Sequence, residues 1–567
     1  MPLPGPRALW WALSLLALAL PFAAALAPVA VAPDAVLSSI SFEVRVRNVA
    51  YLLGNMGRAE AVRRAAERRA RGDDEPRKPA PALPIARATT ATDGDDGDRP
   101  QLRRPKAAPV GIAAAASDTT AVADKAGGTG RERNGGGDDG DDDLTKMLAT
   151  SIRELADRAN QLATRDARLG RHAQAQVITH AIAVGAVDLA GELAAQVADP
   201  DDDLRAALAA TAHGVGETAR ATSALAIKDA LARARRDRFG IRWSPFVRDR
   251  IRQKLGVLGG DREFARNAAL QQQLIEDEIV PLIATIFEFL AFAGLLGLGL
   301  SLYILATSGA ARSRGEPPFA WLRARLGGLS ARELWPRDPL LPALGLGTWL
   351  VATMVVSALV EMMPSARGGS GLAVLFQTLA GVMVAWALTS AFGRGVSPFD
   401  SASLVDTEGE RSAFRASAAA VLGYCALLPW MAIVALGSAM FWSLLAPESA
   451  AEPHPVAGLL LEDHSPIQVG ALALAVVVGA PLGEELVFRA FLYRTLRQHL
   501  GMRWAMALSA TAFALLHMAA PLLAPYVLLG VAFALLYEWT GSLWASITLH
   551  ALWNAVVLAL IVLVSAT

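Results

Sequence analysis

The chain has 567 residues, 53% hydrophobic and 19% charged, with as many acidic as basic side chains and so no formal net charge. That balance is silent on nucleic acid, but no basic tract interleaved with aromatics appears, so a nucleic-acid partner is set aside. The single cysteine, Cys425, lies in an apolar run and excludes intrachain disulfides, a cysteine zinc knuckle and a CxxC redox pair.

The charges crowd before Ile279 and the apolar residues after it. In residues 1–33, Arg7 precedes about 25 apolar residues, a length that spans a bilayer. This segment reads as a signal peptide, with small residues Ala23 to Ala27 as the cut site, or as an N-terminal membrane anchor. Either form sends the next segment across the membrane. Residues 34–72 are expected to be helical and end in the basic "AEAVRRAAERRARG". Residues 73–143 are rich in Pro, Gly, Asp and Ala and poor in large apolar residues. Such a stretch buries too little surface to offset its ordering entropy and reads as a disordered linker.

Residues 144–278 read as a second helical domain. A helix opens on aspartates near Leu144 and is expected to end at Gly170. Helices follow over 171–198 and 201–236, broken at "ADPDDD", with no firm repeat period. A further helix runs from Asp261 straight into the first span.

Membrane spans are expected at 279–306, 340–363, 371–393, 416–446, 467–493, 503–519, 525–538 and 543–565. The fold class is therefore all-α: a polytopic helical membrane bundle of about eight spans, plus the N-terminal anchor or signal. The two short spans, 503–519 and 525–538, suit interior positions. Arginines mark alternate loops: Arg312, Arg314, Arg323, Arg325, Arg332 and Arg337; then Arg394, Arg411 and Arg415; then Arg494, Arg497 and Arg503. Under the positive-inside rule these loops are cytoplasmic, so residues 34–278 form an extracytoplasmic helical region. The Ala/Arg-rich composition points to a bacterial inner membrane protein.

Residues 483–489, "GEELVFR", place three charges in an apolar run. An ionised side chain in hydrocarbon costs at least a few kcal/mol, so such groups usually face the bundle interior and serve a function. Glu485 and Arg489 are four apart and share a helix face, where they pair. Glu484 points about 100° away and need not be satisfied by that pair. It is the candidate general base. The later spans hold two histidines. His517 follows Phe513 by one turn, and His550 precedes Asn554 by one turn. These polar groups come from three separate apolar helices and point to one shared interior cavity.

EExxxR (Glu484, Glu485, Arg489), FxxxH (Phe513, His517) and HxxxN (His550, Asn554), in that order on successive spans, resemble the CPBP intramembrane protease family. This is the bacterial relative of the type II CAAX-prenyl endopeptidases, also called the ABI family. The resemblance covers roughly the last 100 residues and leaves residues 1 to about 280 outside it. It implies membrane spans over 279–396 and a protease membrane core over 397–567. It also implies an endopeptidase acting on a membrane-associated protein or peptide. Carried over by residue, Glu484 is the base and His517 its partner, together activating a water. His550 and Asn554 hold the oxyanion, and Glu485 and Arg489 brace the first helix. The family carries both a metalloprotease and a glutamic-protease label. The missing HExxH spacing favours a metal-free water with no cofactor; a zinc ion, if used, would sit on Glu484, His517 and His550.

Plainer readings stand beside these. Glu485 and Arg489 suit a buried pair that fixes helix register, Phe513 suits packing, and Asn554 suits interhelical glue. His517 alone suits a satisfied core histidine. A catalytically idle immunity or scaffold protein of the same fold is the alternative function, followed by a transporter or proton relay, which predicts internal repeats that the sequence lacks. Substrate identity, the role of 34–278 and the oligomeric state are not encoded in any motif.

Overall fold

The computed structural model describes residues 33–71, 139–197, 224–235, 244–316, 319, 341–362, 371–392, 413–445, 466–517 and 519–567. The N-terminal apolar segment before Pro33, most of the expected linker, the start of the 201–236 helix and the arginine-rich loops around 323–337 and 394–411 lie outside them. Among the described residues the chain is helical, with no strand. It divides into two compact units, Arg58–Leu148 and the remainder. Arg58–Leu148 holds the basic tail of the first helix, where Glu60 pairs with Arg63 and Arg64 one turn away.

In the larger unit, a layer of helices outside the apolar region comes first. It comprises the first part of α1 (Pro33–Arg71), α2 (Asp139–Arg165) from Ala149 onward, α3 (Ala167–Ala183), α4 (Val187–Ala194), α5 (Ala224–Arg235) and α6 (Pro245–Leu258). The helix expected to end at Gly170 ends earlier. Asp166 caps α3 and accepts the backbone N–H groups of Arg168 and Leu169, as a first-turn carboxylate does. Gly170 lies inside α3, where a Cβ would come within 2.1 Å of the Ala163 Cα. It is a close-packing glycine.

A buried polar network joins this layer. Asn48 donates to Ser244 Oγ at 2.9 Å and faces His180 Nδ1 at 2.7 Å. Ser41 donates to Gln176 at 2.6 Å. Burial holds the His180 imidazole down to about 3, well below its ordinary value, with the Arg47 charge adding in the same direction.

From Asp261 one long helix runs into the apolar region, as expected: α7 (Arg262–Leu274), a π-turn at Ile275–Ile279, then α8 (Val280–Ser313). The π-turn has a local cause. Pro281 has no N–H to close the ordinary bond to the carbonyl four residues earlier, and its ring crowds that carbonyl. The same arrangement recurs at Ala475–Gly479, ahead of Pro481.

The apolar helices that follow are α9 (Leu341–Glu361), α10 (Gly371–Phe392), α11 (Ala413–Leu445), α12 (Pro466–Leu474), α13 (Ala480–Glu485), α14 (Arg494–Leu516), α15 (Leu523–Thr540) and α16 (Leu543–Ser565). Among the described residues, six helical stretches are long and apolar enough to cross a membrane, and Gly345–Val360 is a shorter apolar one. The stretch Pro466–Leu516 is not one rod. At Gly501, φ is 77° and ψ 171°, a conformation open to glycine. The chain reverses there, because Ser509 donates to the Phe488 carbonyl at 3.3 Å. A straight helix would hold those residues about 30 Å apart. This reversal divides Pro466–Leu516 into two apolar segments, as the expected spans 467–493 and 503–519 have it.

Both ends of this region meet the same helical layer. α7 packs on α6 at Gly256 and Ala265. Phe246 at the start of α6 donates its N–H to the Thr567 carbonyl at 2.9 Å, and Arg45 donates to the Ser565 carbonyl. The interior of the bundle is formed by Pro466–Leu516 and Ala520–Thr540, whose apolar windows are 56% and 39% buried against 17–28% for the other four.

Candidate active site

The first motif lies where the backbone is least regular. π-turns at Ala475–Gly479 and Leu486–Tyr493 flank Glu484 and Glu485. Such widened turns release carbonyls and re-aim side chains, and they concentrate at functional positions. One released carbonyl is used: Asn554 Nδ2 donates to the Val476 oxygen at 2.9 Å. One of the two Asn554 N–H groups is thereby engaged in tying α16 to this turn.

Glu485 is fully buried and binds two partners through one oxygen. Its Oε1 lies 3.1 Å from Arg489 Nη1 and 3.0 Å from His550 Nδ1. The expected i,i+4 pair is therefore present, and the same carboxylate also orients a histidine from α16. Arg489 is equally buried. Its Nη2 donates to the Gly530 carbonyl at 3.2 Å, and its guanidinium lies 4.9 Å and 5.0 Å from the Phe513 and Phe533 ring centres. That carbonyl sits on the α15 face where Gly530 lies against Ala510, leaving no space for a Cβ. An arginine in this setting gains both a counter-charge and aromatic faces in place of water.

Glu484 behaves differently from its neighbour. Its side chain is 22% exposed, and Oε2 has no hydrogen-bond partner. The nearest cationic or imidazole nitrogen to it is His550 Nε2 at 3.9 Å, too long for a direct hydrogen bond. The carboxylate forms part of the wall of a cavity of about 180 Å³ bounded by α9, α10 and the α12–α13 segment.

His550 is thus held between two carboxylates, Nδ1 on Glu485 and Nε2 toward Glu484, with its ring stacked on Phe533 at 4.7 Å. His517 is placed otherwise. It closes α14, its Nδ1 lies 2.8 Å from the Phe513 carbonyl, and its ring stacks on Tyr526 at 4.1 Å. Among the described residues no hydrogen bond or ion pair joins it to Glu484. Phe513 separates the two imidazoles, 4.7 Å from one ring centre and 5.8 Å from the other. All three motifs therefore converge around Phe513. Within that cluster, His550 stands nearest to Glu484.

The fit to a metal can be judged from the same geometry. Among the described residues no three His, Cys, Asp or Glu side chains stand where one ion could bind them together. The Nδ1 atoms of His517 and His550 each have a protein partner. Glu484, His517 and His550 as placed do not form a three-ligand set, so no chemical step is derived through zinc.

Sequence reasoning missed several participants. Glu538 near the end of α15 is 1% exposed, accepts from Tyr493 at 2.7 Å and pairs with Arg497 at 3.2 Å. Tyr526 and Phe533 supply the faces on which the two imidazoles stack. A carboxylate directly before "WTG" at the end of an apolar run was the available signal for Glu538. Nothing in the spacing pointed to the aromatic pair. His499 is exposed.

The helices long enough to cross a bilayer and the buried charges between them belong to a multi-pass membrane protein. No curated protein and no solved structure matches the chain. Residues 466–556, which contain all three motifs, match the family model described as Type II CAAX prenyl endopeptidase Rce1-like, and it is this family, consistent with the CPBP resemblance, that the site-bearing region is similar to.

Proposed function

We propose that the protein is an intramembrane endopeptidase that hydrolyses a peptide bond of a membrane-associated protein or peptide. At the family level, the match over residues 466–556 supports a CAAX protease-like membrane endopeptidase. The single observation that carries the finer reading is the state of Glu484: a carboxylate on a cavity wall, with an unpartnered Oε2 and an imidazole nitrogen 3.9 Å away. That is the arrangement a general base needs before substrate and water arrive.

In the proposed reaction, Glu484 takes a proton from water while the resulting hydroxide bonds to the scissile carbonyl carbon. The carbonyl electrons move to oxygen. In this scheme the second N–H of Asn554 and the Nε2 of His550 hold that oxyanion. Because Glu485 already engages His550 Nδ1, the donor from His550 in this scheme is Nε2–H. The oxyanion electrons then re-form the carbonyl, the C–N bond breaks, and Glu484 passes its proton to the leaving amine nitrogen. In this scheme His517 acts at the edge of the site beside Tyr526.

The proposed location is a bacterial inner membrane, with residues 34–278 outside the cytoplasm. The arginine-marked loops support that orientation.

The test compares wild type with Glu484→Gln in liposomes, using a membrane-spanning Leu/Ala peptide with a central Gly-Pro interruption and mass-spectrometric detection of the cut. The substitution is expected to lower turnover by roughly 10²- to 10⁴-fold, the usual worth of a general base, with unchanged thermal stability. Equal cleavage by both proteins refutes the proposal.

A further inference from the structure

The cavity beside Glu484 carries a second message, in the hydrogen bonds of its wall. Trp349 Nε1 donates to the Gly381 carbonyl at 3.1 Å. Thr353 Oγ1 donates to the Trp349 and Leu350 carbonyls at 3.0 and 2.9 Å, and Thr378 Oγ1 to Val374 at 2.7 Å. The indole and both hydroxyls are therefore satisfied within their own helices or an adjacent one. Gln377 is the exception. Its half-buried side chain lines the cavity, and no described residue hydrogen-bonds its amide. Gln377 lies on α10, outside the 466–556 match. An amide side chain among apolar helices without a partner is costly and calls for a ligand with matching groups. Together, Gln377 and Glu484 are the polar side chains of this wall left open, on an otherwise apolar lining, the usual make-up of a small binding site.

The size limits the occupant. About 180 Å³ is a little more than the roughly 150 Å³ of a cavity that admits benzene. It seats one aromatic or large aliphatic side chain. The chemistry limits it further. A primary amide both donates and accepts, and so matches the paired N–H and C=O of a peptide backbone. In a transmembrane helix those groups are already bonded internally, so only an unwound segment presents them.

We infer that this cavity is a substrate subsite that seats one large apolar side chain, while the Gln377 amide pairs with the main chain of the same unwound peptide segment and so registers the neighbouring peptide bond against Glu484. The inference rests on the peptidase reading for its use of Glu484, but the binding itself does not require cleavage.

The test uses the full-length Glu484→Gln protein in phosphatidylethanolamine/phosphatidylglycerol liposomes. The probe is a membrane-spanning Leu/Ala peptide with a central Gly-Pro interruption and one photoleucine beside it. After photolysis, adducts mapped by mass spectrometry are expected on Trp349 to Thr353 and Gln377 to Val382. Adding Gln377→Leu, which keeps size and removes the amide, should lower adduct yield about five- to tenfold, as for one lost hydrogen bond. Adding Gly381→Leu, which fills the cavity and leaves Gln377 in place, should remove those adducts. Adducts confined to other helices, no adducts, or yields unchanged by both substitutions overturn the subsite. Cavity adducts that respond to both substitutions, combined with no cleavage by the wild type, leave the subsite standing and overturn the peptidase reading. Cleavage without cavity labelling does the reverse.

Discussion

Two buried histidines, one in the outer helical layer and one in the membrane bundle, show what separates a packing group from a site. His180 and His550 are both nearly inaccessible, and each has Nδ1 on a side-chain oxygen, at 2.7 Å and 3.0 Å. The oxygen facing His180 belongs to the neutral amide of Asn48, and its Nε2 meets nothing. The oxygen facing His550 belongs to Glu485, and its Nε2 points toward a second carboxylate on a cavity wall. Burial is common to both. Surplus charge beside an accessible space is found only at His550. A histidine bonded to an amide in a closed core is held neutral, whereas one set between two carboxylates beside a cavity stands where it can act on a bound substrate.

Breaking the charge balance of the membrane cluster gives the largest expected effect on stability. Arg489→Met leaves Glu485 buried with only His550 as a partner, and removing one member of a buried pair costs about 3–5 kcal/mol. Thermal unfolding in detergent should show that loss. Replacing both members, as Glu485→Leu with Arg489→Met, should recover most of it. If the double variant is as unstable as the single one, the pair contributes through geometry and not through charge.

The next effect sharpens the other side of the comparison. The His180 imidazole is held at about 3 when folded, below its ordinary value when unfolded. The unfolded chain therefore binds this proton first. The contribution of His180 is complete above about pH 6.5 and is lost as the pH falls toward 3, at about 1.4 kcal/mol per unit. A His180→Gln variant keeps an amide opposite Asn48 and removes that slope. Unfolding temperatures between pH 4 and 7 should fall with acid in the wild type and fall less in the variant. Parallel curves would mean that water reaches the imidazole.

Much of the membrane cluster was legible because its signals are local. A charge in an apolar run stands out, and i,i+4 spacing puts Glu485 beside Arg489 and His550 beside Asn554 without knowledge of the fold. The continuous helix from Asp261 into the first span and the reversal near Gly501 were legible for the same reason. What the sequence hid is contact across distance. The pairing of Asn48 with His180 spans 132 residues, and that of Tyr493 with Glu538 spans 45. Which imidazole approaches Glu484 depends on how α14 and α16 pack on Phe513, and no spacing rule reports that. The family resemblance assigned His517 as the partner of Glu484, while the packing brings His550 closer.

The smallest effects test a boundary inside the outer layer, where the same distinction between local and distant causes applies. Gly170 looked like a helix terminator, because glycine ends helices by adopting a left-handed conformation. In the fold it is helical and packed against Ala163, while Asp166 begins the next helix. The two roles predict opposite outcomes for alanine. At a packed helical position, the added methyl must displace the Ala163 backbone, so Gly170→Ala should cost about 1–3 kcal/mol by overpacking. Shaving Ala163→Gly in the same chain should return part of that loss, which a left-handed terminator would not allow. Asp166→Ala removes an N-cap that accepts two backbone N–H groups and should cost about 1 kcal/mol. Asp166→Asn, which keeps the accepting oxygen, should cost only a few tenths. If Asp166→Ala is silent and Gly170→Ala is not rescued, the helix ends at Gly170 and α2 and α3 are one continuous rod.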